Sequence, residues 1–330
     1  MTAACGPVRI GMDVGGTKTE GVAVDRDGTI LARLRQPTQW GPDAVIAGIV
    51  ETTQALAAEV GFTASDILSV GVGVPGLVDA AHGRVLHAVN LGVESLDIAR
   101  LAGAEIGAPL FVENDVKAAA LGAASLRPDT APMAYLNLGT GVAAGVVTGG
   151  RLWRGSRGIA GEVGHIPIEP NGRLCGCGQR GCIETLCGGG AVGRAWGRGG
   201  DYPVLDVYDA ADAGDVEARA LRADIARGAA AAVSVLVLTT DVETVVIGGG
   251  LTALADRLEP DLRAALRMNA AASPFIASLR LDERIELLAP GSPVAALGAA
   301  LLGVEQPLSY PVGAADTSAV TFDKENPDHG

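Results

Sequence analysis

The sequence predicts an α/β protein of two similar lobes with a cleft between them, and three observations predict it. Apolar runs that read as strands alternate with helical spacing over most of the 330 residues. The alternation then restarts near Met133. Finally, two segments resemble each other: Ile10–Thr17 reads IGMDVGGT and Tyr135–Gly141 reads YLNLGTG, which sets Asp13 over Asn137 and Gly15 over Gly139. Each is a strand, a Gly/Thr turn and a returning strand. Two such units form stable layers when they pack around a shared interface, and the length suffices for two cores.

The elements follow in order. Val8–Val14 is an apolar run closed by Gly15-Gly16. Glu20–Asp25 and Thr29–Arg35 are strands joined at Asp27-Gly28, a hairpin dipeptide. Val45, Ile49, Leu56 and Val60 give Ala44–Val60 helical spacing. Ile67–Val74 is a buried strand closed by Pro75-Gly76, residues 97–106 are helical, and Leu110–Glu113 is a strand leading into a helix at Val116–Ser125. After the restart, Met133–Leu138 and Val142–Thr148 are strands around Gly139-Thr140-Gly141. Asp215–Thr239 is a long Ala-rich helix, Thr244–Ile247 a buried strand, Leu251–Met268 a helix, Arg284–Leu288 a strand and Val294–Leu302 a last helix. The stretch Val204–Val216 carries no readable motif, and the polar tail after Val304 reads as disordered. Residues 1–115 are expected to form the small lobe, with a final helix at 292–304 packing back on it, and 116–291 the large lobe.

Composition narrows the function. Hydrophobic residues make up 48% and aromatics only 3%, so Val, Leu, Ile and Ala must build the core. A net charge of −13 lacks the basic footprint of a nucleic-acid binder, yet backbone amides and Mg²⁺ can still hold a phosphate locally. Residues 1–7 do not read as a secretory signal. No apolar run reaches the roughly 18–20 residues of a membrane span. Three of the five cysteines cluster at metal spacing, which suits a reducing cytoplasm better than a disulfide scaffold. Cys5 and Cys187 are left over, Cys187 reading as a small buried hydrophobe.

The densest chemistry lies between Gly161 and Glu184, GEVGHIPIEPNGRLCGCGQRGCIE. Cys175, Cys177 and Cys182 with the upstream His165 make the ligand set of a closed structural Zn²⁺ site, leaving Glu162 and Glu184 free for other contacts. Three Gly-rich turns stand at strand ends. In Asp13-Val14-Gly15-Gly16-Thr17-Lys18 the glycines admit backbone N–H groups to an anion, Thr17 adds a hydroxyl, Lys18 a positive charge, and Asp13 can hold a metal-bound water. Gly139-Thr140-Gly141 is a second candidate phosphate loop, and Gly248-Gly249-Gly250 opens a helix where a nucleotide could lie. Each alone could be a tight turn. At Val112-Glu113-Asn114-Asp115 a strand meets a helix: Asn114 or Asp115 is either an N-cap or, for Asp115, a general base taking a proton from a hydroxyl that attacks a phosphoryl group.

Together these segments resemble the ROK family of bacterial sugar kinases, within the hexokinase/actin-like ATPase fold. GMDVGGTKTEGVAVD, GVGVPGLVD, VENDVKAAALGA, LNLGTGVAAGVV, GIAGEVGHIPI, CGCGQRGCIE and VVIGGGL stand in family order over roughly residues 8–304. The resemblance implies two ribonuclease-H-like lobes closing over a hexose and ATP, with Mg²⁺ and a structural zinc. Asp13, Gly15, Gly16, Thr17 and Lys18 match the first phosphate motif, Thr140 and Gly141 the second, and Gly249 and Gly250 the nucleotide motif. Asp115 matches the catalytic base; Asn114, Glu162, His165 and Glu184 match sugar-hydroxyl ligands, His165 serving zinc and sugar with different ring nitrogens. Gly76 falls in the sugar loop and Asn90 where a sugar-contacting Asn is common. Lys117 departs from the Asn usual there and would face a phosphate or solvent. The implied activity is ATP-dependent phosphorylation of a hexose 6-hydroxyl, glucose first, with fructose, mannose or an N-acetylhexosamine as alternatives and polyphosphate as another donor. A homodimer or homotetramer is implied. The family's sugar-responsive repressors need a helix-turn-helix module; only seven residues precede Val8, and DVGGTK is intact.

Overall fold

The computed structural model describes residues 6–198 and 200–304; Cys5 and the tail expected to be disordered lie outside them. The first sheet grows from β1 (Val8–Val14), whose run of buried residues needs cover on both faces. β1 pairs antiparallel with β2 (Lys18–Val24), and β2 with β3 (Ile30–Pro37). On its other side β1 runs parallel to β4 (Ile67–Val74), which runs parallel to β8 (Leu110–Asn114). The order is β3-β2-β1-β4-β8.

The second sheet repeats the plan. β9 (Met133–Leu138) is antiparallel to β10 (Val142–Thr148), which pairs with β11 (Arg151–Leu152). β12 (Thr244–Gly248) lies parallel to β9, and β13 (Ile285–Leu287) parallel to β12, giving β11-β10-β9-β12-β13.

Helices complete the layers. α1 (Pro42–Val60) and α2 (Ile98–Ile106) cover one face of the first sheet, and α10 (Val294–Leu301) covers the other. α3 (Asp115–Ser125) lies on the second sheet, with α7 (Val216–Thr240) on the opposite face. α3 and α10 pack against each other, so one helical layer is shared between the sheets. Glycine makes that contact possible: a Cβ on Gly298 would sit 1.7 Å from the Ala118 carbonyl oxygen, and one on Gly122 1.9 Å from that of Val294. Cores of Val, Leu, Ile and Ala fill both lobes.

Several elements carry no sequence signal. β5 (Leu77–Asp79), β6 (Arg84–His87) and β7 (Leu96–Asp97) form a small sheet beside the cleft. Strands so short cannot display a two-residue alternation. The motif-free stretch contains α6 (Pro203–Asp212), which starts on a helix-compatible proline and buries Val207, Tyr208 and Ala211. α4 (Glu184–Cys187), α5 (Gly189–Trp196) and α9 (Pro274–Ser278) are likewise short. The helix expected from Leu251 begins as a 3-10 turn, Gly250–Leu254, and becomes α8 only at Ala255–Ala271. The two-lobed α/β fold expected from the sequence is the observed one.

Candidate active site

Both sheets direct their central strand ends into the cleft. Asp13 is the penultimate residue of β1, paired with Gly73 of β4; Asn137 is the penultimate residue of β9, paired with Gly248 of β12. Two cavities meet there. One, of about 540 Å³, is lined by Gly15, Gly16, Gly76, Asn90, Asn114, Asp115, Thr140, Gly141, Glu162, His165 and Glu184, among others. The other, of about 320 Å³, is lined by Asp13, Lys18, Gly249, Gly250 and Thr252, with Leu288 and Ala289 after β13. Asp115, Val116 and Asn137 border both.

The strand-to-helix junction places Asp115. Asn114 is the N-cap, its Oδ1 accepting from the N–H groups of Val116 (3.1 Å) and Lys117 (3.2 Å), while its Nδ2 donates to the Gly76 carbonyl at 3.3 Å. Asp115, the first helical residue, accepts from Val116 N–H at 2.9 Å. Asn114 is thus the N-cap, and Asp115 borders both cavities. Burial pushes the Asp115 carboxyl above its ordinary value, with Glu162 adding to the rise, against the lowering effect of backbone N–H groups and Lys117. Asp13 is pushed up to about 7 by burial and by the facing charges of Asp115 and Glu20.

The floor of the larger cavity rests on the cysteine cluster. The ligand atoms of His165, Cys175, Cys177 and Cys182 lie within 4.8 Å of one another. Cys177 and Cys182 sulfurs are 3.7 Å apart, and His165 Nδ1 is 3.8 Å from Cys175 Sγ. N–H groups of Gln179 draw the Cys177 thiol down to about 6, whereas burial lifts Cys182 to about 12. Glu184, in the segment that follows, accepts from Val142 N–H at 3.0 Å through Oε2. Gly141 has to be glycine for this approach, since a Cβ there would meet Glu184 Oε2 at 2.7 Å.

Most residues singled out from the sequence converge here. Thr17 is the exception: exposed, it lines neither cavity, and its carbonyl accepts from Thr38 N–H. Lys117 corrects the expectation of a phosphate-facing or solvent-facing side chain. It is 4% exposed and donates to the carbonyl of Gly158. Sequence reasoning missed Asn137 as a site residue although the internal repeat set it over Asp13. It also missed Leu77, Val78 and Ile159 on the larger cavity and Arg35, Glu20 and Ser292 on the smaller. Leu77, Val78, Ile159 and Glu20 stand inside segments singled out from the sequence, whereas Arg35 and Ser292 carry no motif.

The ROK family model matches residues 9–305. This chain belongs to the ROK family. It is 31% identical over 270 residues to a glucokinase of Halalkalibacterium halodurans, covering 76% of this chain and 82% of that protein. An N-acetylmannosamine kinase of Escherichia coli is 31% identical over 251 residues, covering 73% of this chain and 82% of the relative. Among solved structures, a ROK glucokinase from Streptomyces griseus in complex with glucose and AMPPNP is 28% identical with a TM-score of 0.70, covering 89% of this chain and 98% of that one. The fold is thus that of the actin/hexokinase ATPases. Among the described residues, no helix is long and apolar enough to cross a membrane.

Proposed function

We propose that the protein is an ATP-dependent glucokinase, moving the terminal phosphoryl group of ATP to the 6-hydroxyl of glucose. One observation carries the reading: Asp115 borders both cavities, so one carboxylate faces a sugar-sized polar space and a space beside the nucleotide motif. The glucokinase relatives and the glucose- and AMPPNP-bound neighbour support glucose and ATP as the pair.

Asp115 is the general base. It accepts the 6-hydroxyl proton as that oxygen attacks phosphorus, and burial keeps its basicity above that of an exposed carboxylate. Asn114, Glu162, His165 and Glu184 bind sugar hydroxyls, with Gly76 and Asn90 in the wall above them. Phosphates lie against Gly15, Gly16, Thr140 and Gly141 with Lys18 as counter-charge, the nucleoside against Gly249 and Gly250. Thr17 would contribute only through closure of the lobes, since in this conformation it lines neither cavity.

Mg²⁺ fits the residues present: burial and the charge of Asp115 hold Asp13 up near 7, which is the signature of a carboxyl that a nearby cation would relieve. When bound, it supplies charge neutralisation at the phosphates, with Asp13 holding it through water. Zn²⁺ fits the cysteine cluster, whose 3.7 Å sulfur separation is that of a tetrahedral edge. Three close thiols without a cation would divide between ionised and neutral forms, as Cys177 and Cys182 do. Zinc held by Cys175, Cys177, Cys182 and His165 would keep the three as thiolates and fix the His165 ring, whose Nδ1 faces Cys175, leaving its other nitrogen for the sugar.

We keep residues 1–115 with 292–304 as the small lobe and 116–291 as the large one, a division supported by the packing of α10 on β1, β2 and β4. Assembly as a homodimer or homotetramer and a cytoplasmic location complete the reading. N-Acetylmannosamine is the second substrate reading, favoured by the N-acetylmannosamine kinase relative. The test is ADP release from Mg-ATP over glucose, mannose, fructose, N-acetylglucosamine and N-acetylmannosamine, with Asp115→Ala as the blank. Turnover confined to glucose supports the reading. Turnover only on an N-acetylhexosamine replaces the sugar, and silence on all five overturns the kinase.

A further inference from the structure

The catalytic helix carries a buried cation that the phosphoryl-transfer reading does not use. Lys117 stands two residues past Asp115, is 4% exposed, and lines the sugar cavity but not the nucleotide cavity. Burying an ammonium is costly unless a partner holds it, and its Nζ is held by the carbonyl of Gly158. Gly158 has φ of +73°, a left-handed backbone that glycine adopts without strain, so the direction of that carbonyl depends on its being glycine.

A second anchor reaches the same loop. Glu113, at the end of β8, is 3% exposed; its Oε2 takes Arg154 Nε at 2.5 Å and its Oε1 takes the Asn114 N–H at 2.9 Å. Arg154 and Gly158 belong to the loop of residues 153–162 that follows β11, and Ala160 N–H donates to the Arg154 carbonyl at 3.2 Å, so the loop is closed on itself. The loop brings Gly158, Ile159 and Glu162 to the cavity. The ends of the loop are tied to β10 of the second sheet, Trp153 N–H donating to the Val146 carbonyl at 2.8 Å and Ala144 N–H to the Gly161 carbonyl at 2.7 Å, whereas its two side-chain fastenings come from the edge strand of the first sheet and from the catalytic helix.

We propose that Lys117 and the Glu113–Arg154 pair are positioning residues that fasten the 153–162 loop as one wall of the sugar cavity. They thereby set sugar affinity and the ranking of sugars without acting on the nucleotide. This deepens the kinase reading and rests on it. Ile159 of the loop lines the same cavity as Asp115 and as Leu77 and Val78 of the small sheet, so the position of the loop decides how much room the sugar has there. An unfastened wall loosens contacts to the sugar alone; a lysine that merely filled core space would, when lost, cost heat stability and both substrates alike.

The experiment is Lys117→Met, which keeps the length of the side chain and removes the donor, beside Lys117→Arg and Glu113→Gln in the full chain. Steady-state kinetics on the hexose panel and on Mg-ATP are read with the thermal midpoint and with calorimetric sugar binding in the absence of nucleotide. Expected for Lys117→Met is a sugar KM raised by about tenfold or more, an ATP KM within about twofold, an altered sugar ranking and partial recovery in Lys117→Arg. A parallel rise in both KM values, or an unchanged sugar KM, overturns the proposal. Should Lys117→Met not fold, Glu113→Gln is judged by the same two criteria. Should the wild type turn over no sugar, the kinase reading fails by itself. Calorimetry then decides the loop: weaker sugar binding in the variant supports it, equal binding overturns it.

Discussion

The first sheet runs β3-β2-β1-β4-β8 and the second β11-β10-β9-β12-β13, with the same strand directions at every matching position. β8 feeds α3 and β13 leads towards α10, and those two helices pack together through Gly122 and Gly298. On this repeated scaffold the strand ends differ. The first sheet ends in Asp13 and, at the close of β8, Asn114-Asp115; the second ends in Asn137 and, after β13, in Leu288 and Ala289. One sheet supplies the acids, the other neutral groups. The difference teaches how a duplicated frame becomes a site. The charge of Asp115 already helps to raise Asp13, and a further acid at the facing strand ends would repel the phosphates that must lie between them. An amide keeps the hydrogen-bonding capacity without the charge.

The hardest test of that asymmetry is Asp115→Asn, which makes the first sheet as neutral at this point as the second. ADP release should fall by roughly 10²–10⁴-fold, the usual contribution of a general base, while calorimetric sugar affinity stays within a few-fold. Near-normal turnover would remove the acid from its role and with it the contrast between the sheets. Next in size is Cys177→Ser, which attacks a feature confined to the second lobe. Metal content by atomic absorption should drop, and sugar KM should rise by about 10–100-fold through the unfixed His165 ring, with nucleotide affinity preserved. Full sugar affinity in metal-free protein would separate the cluster from the cavity.

The converse exchange, Asn137→Asp, makes the sheets alike by adding an acid. Like-charge repulsion of the order of one pKa unit predicts about a tenfold fall in kcat/KM for Mg-ATP; a gain in activity would show that the amide is incidental. Gly298→Ala probes the shared layer rather than the site. Its Cβ would meet the Ala118 carbonyl oxygen, so the loss by thermal or urea unfolding should be about 1–3 kcal/mol. Gly250→Ala, whose Cβ meets nothing within 4 Å, should stay within about 0.5 kcal/mol.

A separate effect is in pH. Asp13 is raised in the folded state from 3.8 to about 7, so the folded protein binds its proton more tightly than the unfolded chain does. The stability from this group is therefore fully present below its unfolded value and lost as pH rises through its folded one. The thermal midpoint of the ligand-free protein should decline between about pH 4 and 7 on this account, and Asp13→Asn should flatten that decline. An unaltered profile in the variant would mean that another group dominates. Activity moves in the opposite sense, since Asp115 works as a base only when ionised: the rate should climb with pH as its raised carboxyl gives up its proton.

What the sequence by itself determined is the chemistry that local geometry can carry. The cap at Asn114, the Gly turns after β1 and β9, the Cys-x-Cys-x₄-Cys spacing and the repeat that set Asp13 over Asn137 all act within a turn or two of chain, where residue type and spacing decide the outcome. The long periodic elements were legible for the same reason. Only the tertiary structure decided the rest. β5, β6 and β7 are too short to show a period, and they exist because the fold brings them side by side to pair with one another. Lys117 reads as a surface or phosphate-facing lysine until α3 is pressed onto the second sheet, where its buried side chain donates to the Gly158 carbonyl. Asp13 and Asp115 are about a hundred residues apart in sequence, and the rise that Asp115 induces in Asp13 arises when two parallel strands, β1 and β8 flanking β4, bring their ends to one edge. Burial and charge pairing are properties of packed surfaces; a linear pattern records which residues are available for them, and the packing selects which ones meet.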